Sequence, residues 1–169
     1  MKIIDVSSKK YPNLFTLVDD EDYEYLNQWK WRVKKTRCGY YVRRNTLKNN
    51  KNTSIIMHRV LMNLKENKKV HVDHIDHNTL NNQKNNLRVC TIAQNQWNQI
   101  SIGYKKNRYS KYKGVHRYGI YWRVRISKNK RRFHIGVYKN EIEAALAYDK
   151  KANELYGEFA CLNFPDGQK

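Results

Sequence analysis

The stretch His71–Asn95, HVDHIDHNTLNNQKNNLRVCTIAQN, decides how the chain is read. It opens on an acidic-histidine pair, Asp73 and His74, and runs through a loop crowded with asparagine. It closes on a second short apolar run, Asn86-Leu87-Arg88-Val89-Cys90, and the segment after that reads as the start of a helix presenting Asn95. Three histidines, His71, His74 and His77, recur every three residues, a spacing that on a helix would make a metal face. The flanking Val70, Val72 and Ile75 are β-branched, and Asn78, Asn81 and Asn82 break regular structure, so a strand and turn are predicted instead. On a strand His71 and Asp73 share one side and His74 takes the other. A β-hairpin leading into a helix brings the two ends of the stretch together. A carboxylate, an imidazole and two amides then surround one small volume, which suits a hard divalent cation and a phosphodiester.

This stretch resembles the ββα-metal motif of HNH endonucleases, in particular the phage and intron-encoded homing type with a DHI-D core followed by NNL. The resemblance implies that Asp73 is a metal ligand and His74 the general base. It also implies that Asn86 steadies the hairpin and that Asn95, on the helix, completes the metal site. Asn95 stands where the family name has its last histidine, as in some homing members. Asn86 can tie the loop backbone across the hairpin or orient the His74 ring, since an amide both donates and accepts. Asn81, Asn82 and Asn85 are nearby alternatives for that role, with turn formation the preferred reading for them. His71 and His77 are left as surface or DNA-proximal residues.

The chemistry implied has a physical logic. Phosphodiester hydrolysis needs a nucleophilic water, relief of charge on the phosphate and stabilisation of the leaving 3′ oxygen. A neutral imidazole with an ordinary pKa of about 6.5 accepts a proton near neutrality. Oxygen ligands from Asp73 and Asn95 favour Mg²⁺ or Mn²⁺ over zinc. The resemblance implies products carrying a 5′-phosphate and a 3′-hydroxyl. The three cysteines, Cys38, Cys90 and Cys161, form no C-x-x-C pair, which argues against a structural zinc and for buried free thiols.

Charge agrees. The 169 residues hold 34 Lys and Arg against 15 Asp and Glu, a formal net charge of +19 spread along the chain. With a pI near 9.9 the preferred partner is a polyanion, nucleic acid before an anionic membrane. No run of about 18 apolar residues offers a bilayer span, and MKIIDVSSKKYPN lacks a secretory apolar core. A soluble, cytoplasmic protein of a phage or prokaryotic host is expected, acting as a monomer on double-stranded DNA. Such a length holds one domain or two small ones.

Before the decisive stretch, Phe15–Val18 reads as a strand and Asp19 as the cap of an acidic helix, DDEDYEYLNQW. Lys30–Lys34 and Tyr40–Arg44 read as strands joined around Cys38-Gly39, followed by a polar loop LKNNKNTS. One face of that hairpin can pack while its Lys and Arg meet phosphate or solvent. Ile55–Leu64, IIMHRVLMNL, is predicted as a short helix with His58 and Arg59 as its polar members; the nuclease resemblance implies a supporting role for this pair near the scissile phosphate, with packing the alternative for His58. The expected division is 1–100 for an N-terminal segment plus nuclease (core 55–100), 101–111 for a basic linker, and 112–165 for a separate domain.

That third segment shows strands near Val115–Arg117, Tyr121–Ser127 and Arg132–Tyr138, then a helix capped by Asn140 and stopped at Gly157. Its KGV opening, Tyr121-Trp122, IGVY, EAALAYD and LNFP resemble the DNA-binding domain of plant ethylene-response factors, the Apetala-two type. The resemblance implies a three-stranded sheet laid in the major groove, with Arg117, Trp122, Arg123, Arg125 and Arg132 facing DNA. His116 and His134 stand where the plant family usually has Arg and Trp, and Arg125 replaces an acidic residue, so the target site does not carry over. The expected fold class is α+β. The expected function is a site-specific endonuclease; the alternatives are a non-catalytic regulator with a decayed nuclease core, and an RNA-binding protein.

Overall fold

The computed structural model of the protein describes residues 1–36, 39–48, 50–64, 67, 69–100 and 110–165. Cys38 and most of the expected linker, residues 101–109, lie outside the described residues. The chain divides into two compact units, Met1–Ile92 and Ala93–Lys169. Both mix small antiparallel sheets with few helices, an α+β composition.

In the first unit, β1 (Lys2–Asp5) pairs with β2 (Phe15–Val18), and α1 (Asp20–Asn27) follows. Asp19 occupies the expected position before α1 but its side chain makes no cap bond. Its carboxylate instead accepts from the Lys84 backbone N–H at 2.8 Å and from Gln83 Nε2 at 3.2 Å, tying a distant loop to the helix start. A second sheet is built from β3 (Arg32–Thr36), β4 (Gly39–Lys48) and β5 (Lys51–Ile56), in that order. The polar stretch expected as a loop is therefore mostly hairpin, with Thr46 opposite Thr53 and Lys48 opposite Lys51. Ile55 and Ile56 end β5, so the expected helix is confined to α2, Met57–Leu61. β-branched side chains fit a pleated surface better than a helix, which accounts for the shortening.

These elements enclose one apolar core. Leu26, Met57, Val18, Val6 and Val42 are at most 1% exposed, and Trp31 is 2% exposed. Trp31 buries its ring and still satisfies its indole N–H, which donates to the Leu26 carbonyl at 2.8 Å. Each such side chain contributes roughly 1.5–3 kcal/mol of burial. The last pair of the unit is β6 (His71–His74) with β7 (Leu87–Cys90), antiparallel, and Val72 and Leu87 anchor it to the same core. Arg59 braces the approach to β6: its guanidinium donates to the carbonyls of Val70 (2.8 Å), Leu64 (2.7 Å) and Asn67.

The second unit starts with α3 (Ile92–Trp97) and contains β8 (Val115–Tyr118), β9 (Tyr121–Lys128), β10 (Arg131–Tyr138) and α4 (Glu141–Tyr156). β9 is the central strand of its sheet. Asn140 caps α4 as expected, its side chain accepting the Ile142 N–H at 2.7 Å, and Gly157 ends the helix at φ 56°. Val115, Val124, Ile126, Ala144, Ala145, Tyr148 and Ala152 make a core distinct from the first. Among the described residues no helix is long and apolar enough to cross a membrane.

Candidate active site

Cross-strand register places Asp73 opposite Arg88 and His74 opposite Leu87. Alternation then turns His74 inward with Val72, where it is 4% exposed. Its Nε2 lies 3.4 Å from Asn82 Oδ1. Asn82, 1% exposed, gives its Nδ2 hydrogen to Thr16 Oγ1 at 2.8 Å, and Thr16 in turn donates to the Leu80 carbonyl at 2.7 Å. Because the Thr16 proton is committed to a carbonyl, its oxygen must accept, which fixes the Asn82 amide with Oδ1 toward the ring. A carbonyl oxygen facing Nε2 suits the tautomer that carries its proton there.

Asn82 is held by main-chain stitching. Leu17 N–H donates to Leu80 O and Asn82 N–H to Leu17 O, both at 2.9 Å, so the asparagine-rich loop is bridged in parallel to β2. Of the two readings open to Asn82, an alternative to Asn86 at the His74 ring or a turn former, its contacts fit the first, and its partner Thr16 comes from 66 residues earlier. Asn86, also expected near the base, takes the other role open to it. Its Oδ1 accepts the Asp76 N–H at 2.9 Å, and its Nδ2 donates to Asp76 Oδ1 at 2.8 Å and to the Asn81 carbonyl at 2.9 Å. It ties the loop.

Around the His74 ring stand His58 and Tyr41, both edge-on. His58 has its centroid 5.1 Å from that of His74, and Tyr41 lies 6.2 Å from His74 and 5.7 Å from His58. Burial pushes the His58 imidazole down to about 3, with His74 and the Arg59 cation acting the same way. Burial also draws His74 below its ordinary value, against the Asn82 bond and the carboxylates of Asp76 and Asp73. Both rings are neutral at physiological pH, the state a proton acceptor requires.

Asp73, only 7% exposed, is paired with Arg88, whose Nε and Nη2 both reach its Oδ2, at 3.0 and 2.8 Å. The guanidinium shows that this carboxylate sits where a positive charge is accommodated. Among the described residues no three His, Cys, Asp or Glu side chains gather as a metal cage. Asn95 stands half-buried on α3, within the second unit. His71 is half-buried on β6, and His77 takes a positive φ of 63° in the following turn.

In the second unit the sheet has two unlike faces. Val124 pairs with Val115 and Trp122 with Arg117 on the side that meets α4, and Trp122 packs against the core there. On the other side Arg123 pairs with His116, and Arg125 with His134, while Arg132 pairs with Ser127. The expectation that Arg117 and Trp122 share the outward face of Arg123, Arg125 and Arg132 is therefore corrected, because odd and even positions of β9 point oppositely. Arg123 is poised over the Tyr118 ring, 3.4 Å from its centroid, which holds the guanidinium in place.

Residues 57–97 match the family model described as HNH endonuclease, a span containing His58, Asp73, His74, Asn82, Asn86 and Asn95. A protein of Acanthamoeba polyphaga mimivirus described as an uncharacterized HNH endonuclease is 32% identical over 154 residues, covering 88% of this chain and 74% of that protein. The chain belongs to the HNH endonuclease family. It is a nuclease, and the buried His74 and Asp73 lie within the matched span. Within this HNH endonuclease the amide poised on the histidine comes from Asn82, and the two thiols described, Cys90 and Cys161, are buried.

Proposed function

We propose that the chain is a metal-dependent, site-specific endonuclease of double-stranded DNA, of the homing type, acting as a monomer on its target. The observation that carries this reading is His74 itself, buried, with Nε2 3.4 Å from Asn82 Oδ1 and its pKa drawn below the ordinary value by burial. In that role Nδ1 of His74 takes the proton of the attacking water, and Nε2–H stays directed at Asn82. Asn86 keeps the loop closed on β6, so the base does not wander. Asp73, and Asn95 as the resemblance implies, would hold Mg²⁺ or Mn²⁺, hard ions that oxygen donors fit. When bound, such a cation relieves charge on the phosphate and on the leaving oxygen. The products are a 5′-phosphate and a 3′-hydroxyl, and one centre per chain nicks one strand at a time.

Residues 1–100 form the nuclease part of this proposal and 112–165 a reader of the Apetala-two type. Its outward Arg123, Arg125 and Arg132 meet the major groove or its phosphates, with the other strands' side chains as support. Membership in a nuclease family favours this reading over a regulator with a decayed core. The test is incubation of the full chain with supercoiled DNA in Mg²⁺, in Mn²⁺ and in EDTA, beside His74→Ala. Metal-dependent nicking should fall by two to four orders of magnitude in the variant, roughly the worth of a general base. Cleavage surviving at near wild-type rate removes His74 from that role.

A further inference from the structure

The sheet β3–β4–β5 has one face buried and one unexplained. Val42, 1% exposed, belongs to the core, and Arg44 on the same side lies over the rings of Trp29 and Trp31, 4.4 and 5.7 Å from their centroids. The opposite face is set by register: Arg32 stands directly across from Arg43, and Lys34 across from Tyr41. Arg32 and Lys34 are exposed and Arg43 half-buried. Arg43 reaches only a neutral partner, Ser54 Oγ at 3.4 Å, and among the described residues none of the three cations is bridged to a carboxylate. No acidic residue occupies this face anywhere along the three strands.

Like charges directly opposed on a sheet cost stability, so Arg32 facing Arg43 is a poor choice for the fold alone. The cost is offset when an anion lies between them. Tyr41, on that same face and about 7 Å along the strand from Arg43, is the residue whose ring abuts both His58 and His74. The basic face thus ends at the candidate general base. We infer that Arg32, Lys34 and Arg43 form a phosphate-binding track on the nuclease unit, which holds the DNA strand being cut on its approach to His74. The inference rests on the nuclease reading above and adds a second DNA surface to the C-terminal sheet.

The test uses the full chain carrying Arg32→Ala, Lys34→Ala and Arg43→Ala together, with Arg32→Lys/Arg43→Lys as the charge-preserving control. Binding to duplex DNA is followed by fluorescence anisotropy over a salt series without metal, and thermal stability is measured on the same samples. Three lost phosphate contacts should lower the slope of log K against log salt by about 2.7, weaken binding at least tenfold near 0.1 M salt, and leave Tm unchanged or raised. The Lys control should keep most of the slope. An unchanged slope and affinity in the triple variant overturns the track, as does a loss confined to RNA while DNA affinity stands. A fall in Tm shared by the Lys control identifies the arginines as structural and overturns it too. A wild-type chain that neither binds nor cuts DNA defeats the nuclease reading itself, a result distinct from wild-type cutting with an unaltered slope.

Discussion

Arg88 gives two donors to one oxygen of Asp73 from directly across the hairpin, and both side chains are nearly buried. Removing one member of a buried pair leaves the other charge uncompensated, a loss of about 3 kcal/mol or more. Arg88→Met should therefore lower Tm in metal-free buffer. If Asp73 is the cation ligand, Mn²⁺ should then restore stability, because a ligand that binds only the native state raises it. The Tm gain on adding Mn²⁺ should be clearly larger in Arg88→Met than in wild type; equal gains, or none in either, would separate Asp73 from the metal. Residues of this kind mark the limit of what the sequence makes legible. Asp73 and His74 are adjacent and sit in a recognisable pattern, so their pairing with a hairpin is readable. Thr16 and Asn82 meet only because β2 and the loop share backbone hydrogen bonds, and one asparagine among many in a polar loop carries no mark of burial.

At the level of elements, legibility follows contrast between faces. β9 alternates apolar with basic residues, β10 ends in the apolar run Ile135-Gly136-Val137-Tyr138, and the turn residues around Gly119 and Asn129 punctuate them, so both strands stand out. The second half of β4 and the first of β5 pair Asn, Thr and Lys with one another and bury little, so composition reads them as loop. Side-chain orientation was the other loss: Trp122 on β9 falls under α4 by register alone. Beside the shared core, a polar tether links α4 to the segment that follows it. The carboxylate of Asp149, 6% exposed, accepts from Asn163 N–H at 2.8 Å, Asn163 Nδ2 at 3.0 Å and Phe164 N–H at 2.9 Å. Asn163 passes the link on by accepting the Lys113 N–H at 2.6 Å, at the entry to β8. Asp149→Ala should cost the second unit about 3 kcal/mol, since hydrogen bonds to a charged acceptor are among the stronger ones. Denaturant unfolding of the full chain checks this, and a change under about 0.5 kcal/mol, within the range of ordinary surface substitutions, would show that the tether is dispensable.

The whole molecule holds two cores with no residue in common, so thermal unfolding should resolve two transitions. Acid acts on them unequally. His58 is kept neutral in the fold down to about 3, and His74 is shifted the same way, whereas an unfolded histidine protonates near 6.5. Below pH 6.5 the unfolded chain binds protons that the folded first unit refuses, and stability is lost steadily as pH falls toward 3. His58 alone accounts for about 2 kcal/mol between pH 7.5 and 5. In the second unit the shifts have other causes: burial raises Tyr148 and Tyr156 and lowers Lys113, and the bond from Lys151 lowers Glu154. Calorimetry at pH 7.5 and 5 should then lower the first unit's transition by several degrees while the second moves little. His58→Phe keeps an aromatic ring beside His74 and Tyr41 but has no proton to refuse, so its first transition should be markedly less sensitive to acid. Equal displacement of both transitions, or an unchanged sensitivity in the variant, would locate the acid lability outside the His58–His74 pair.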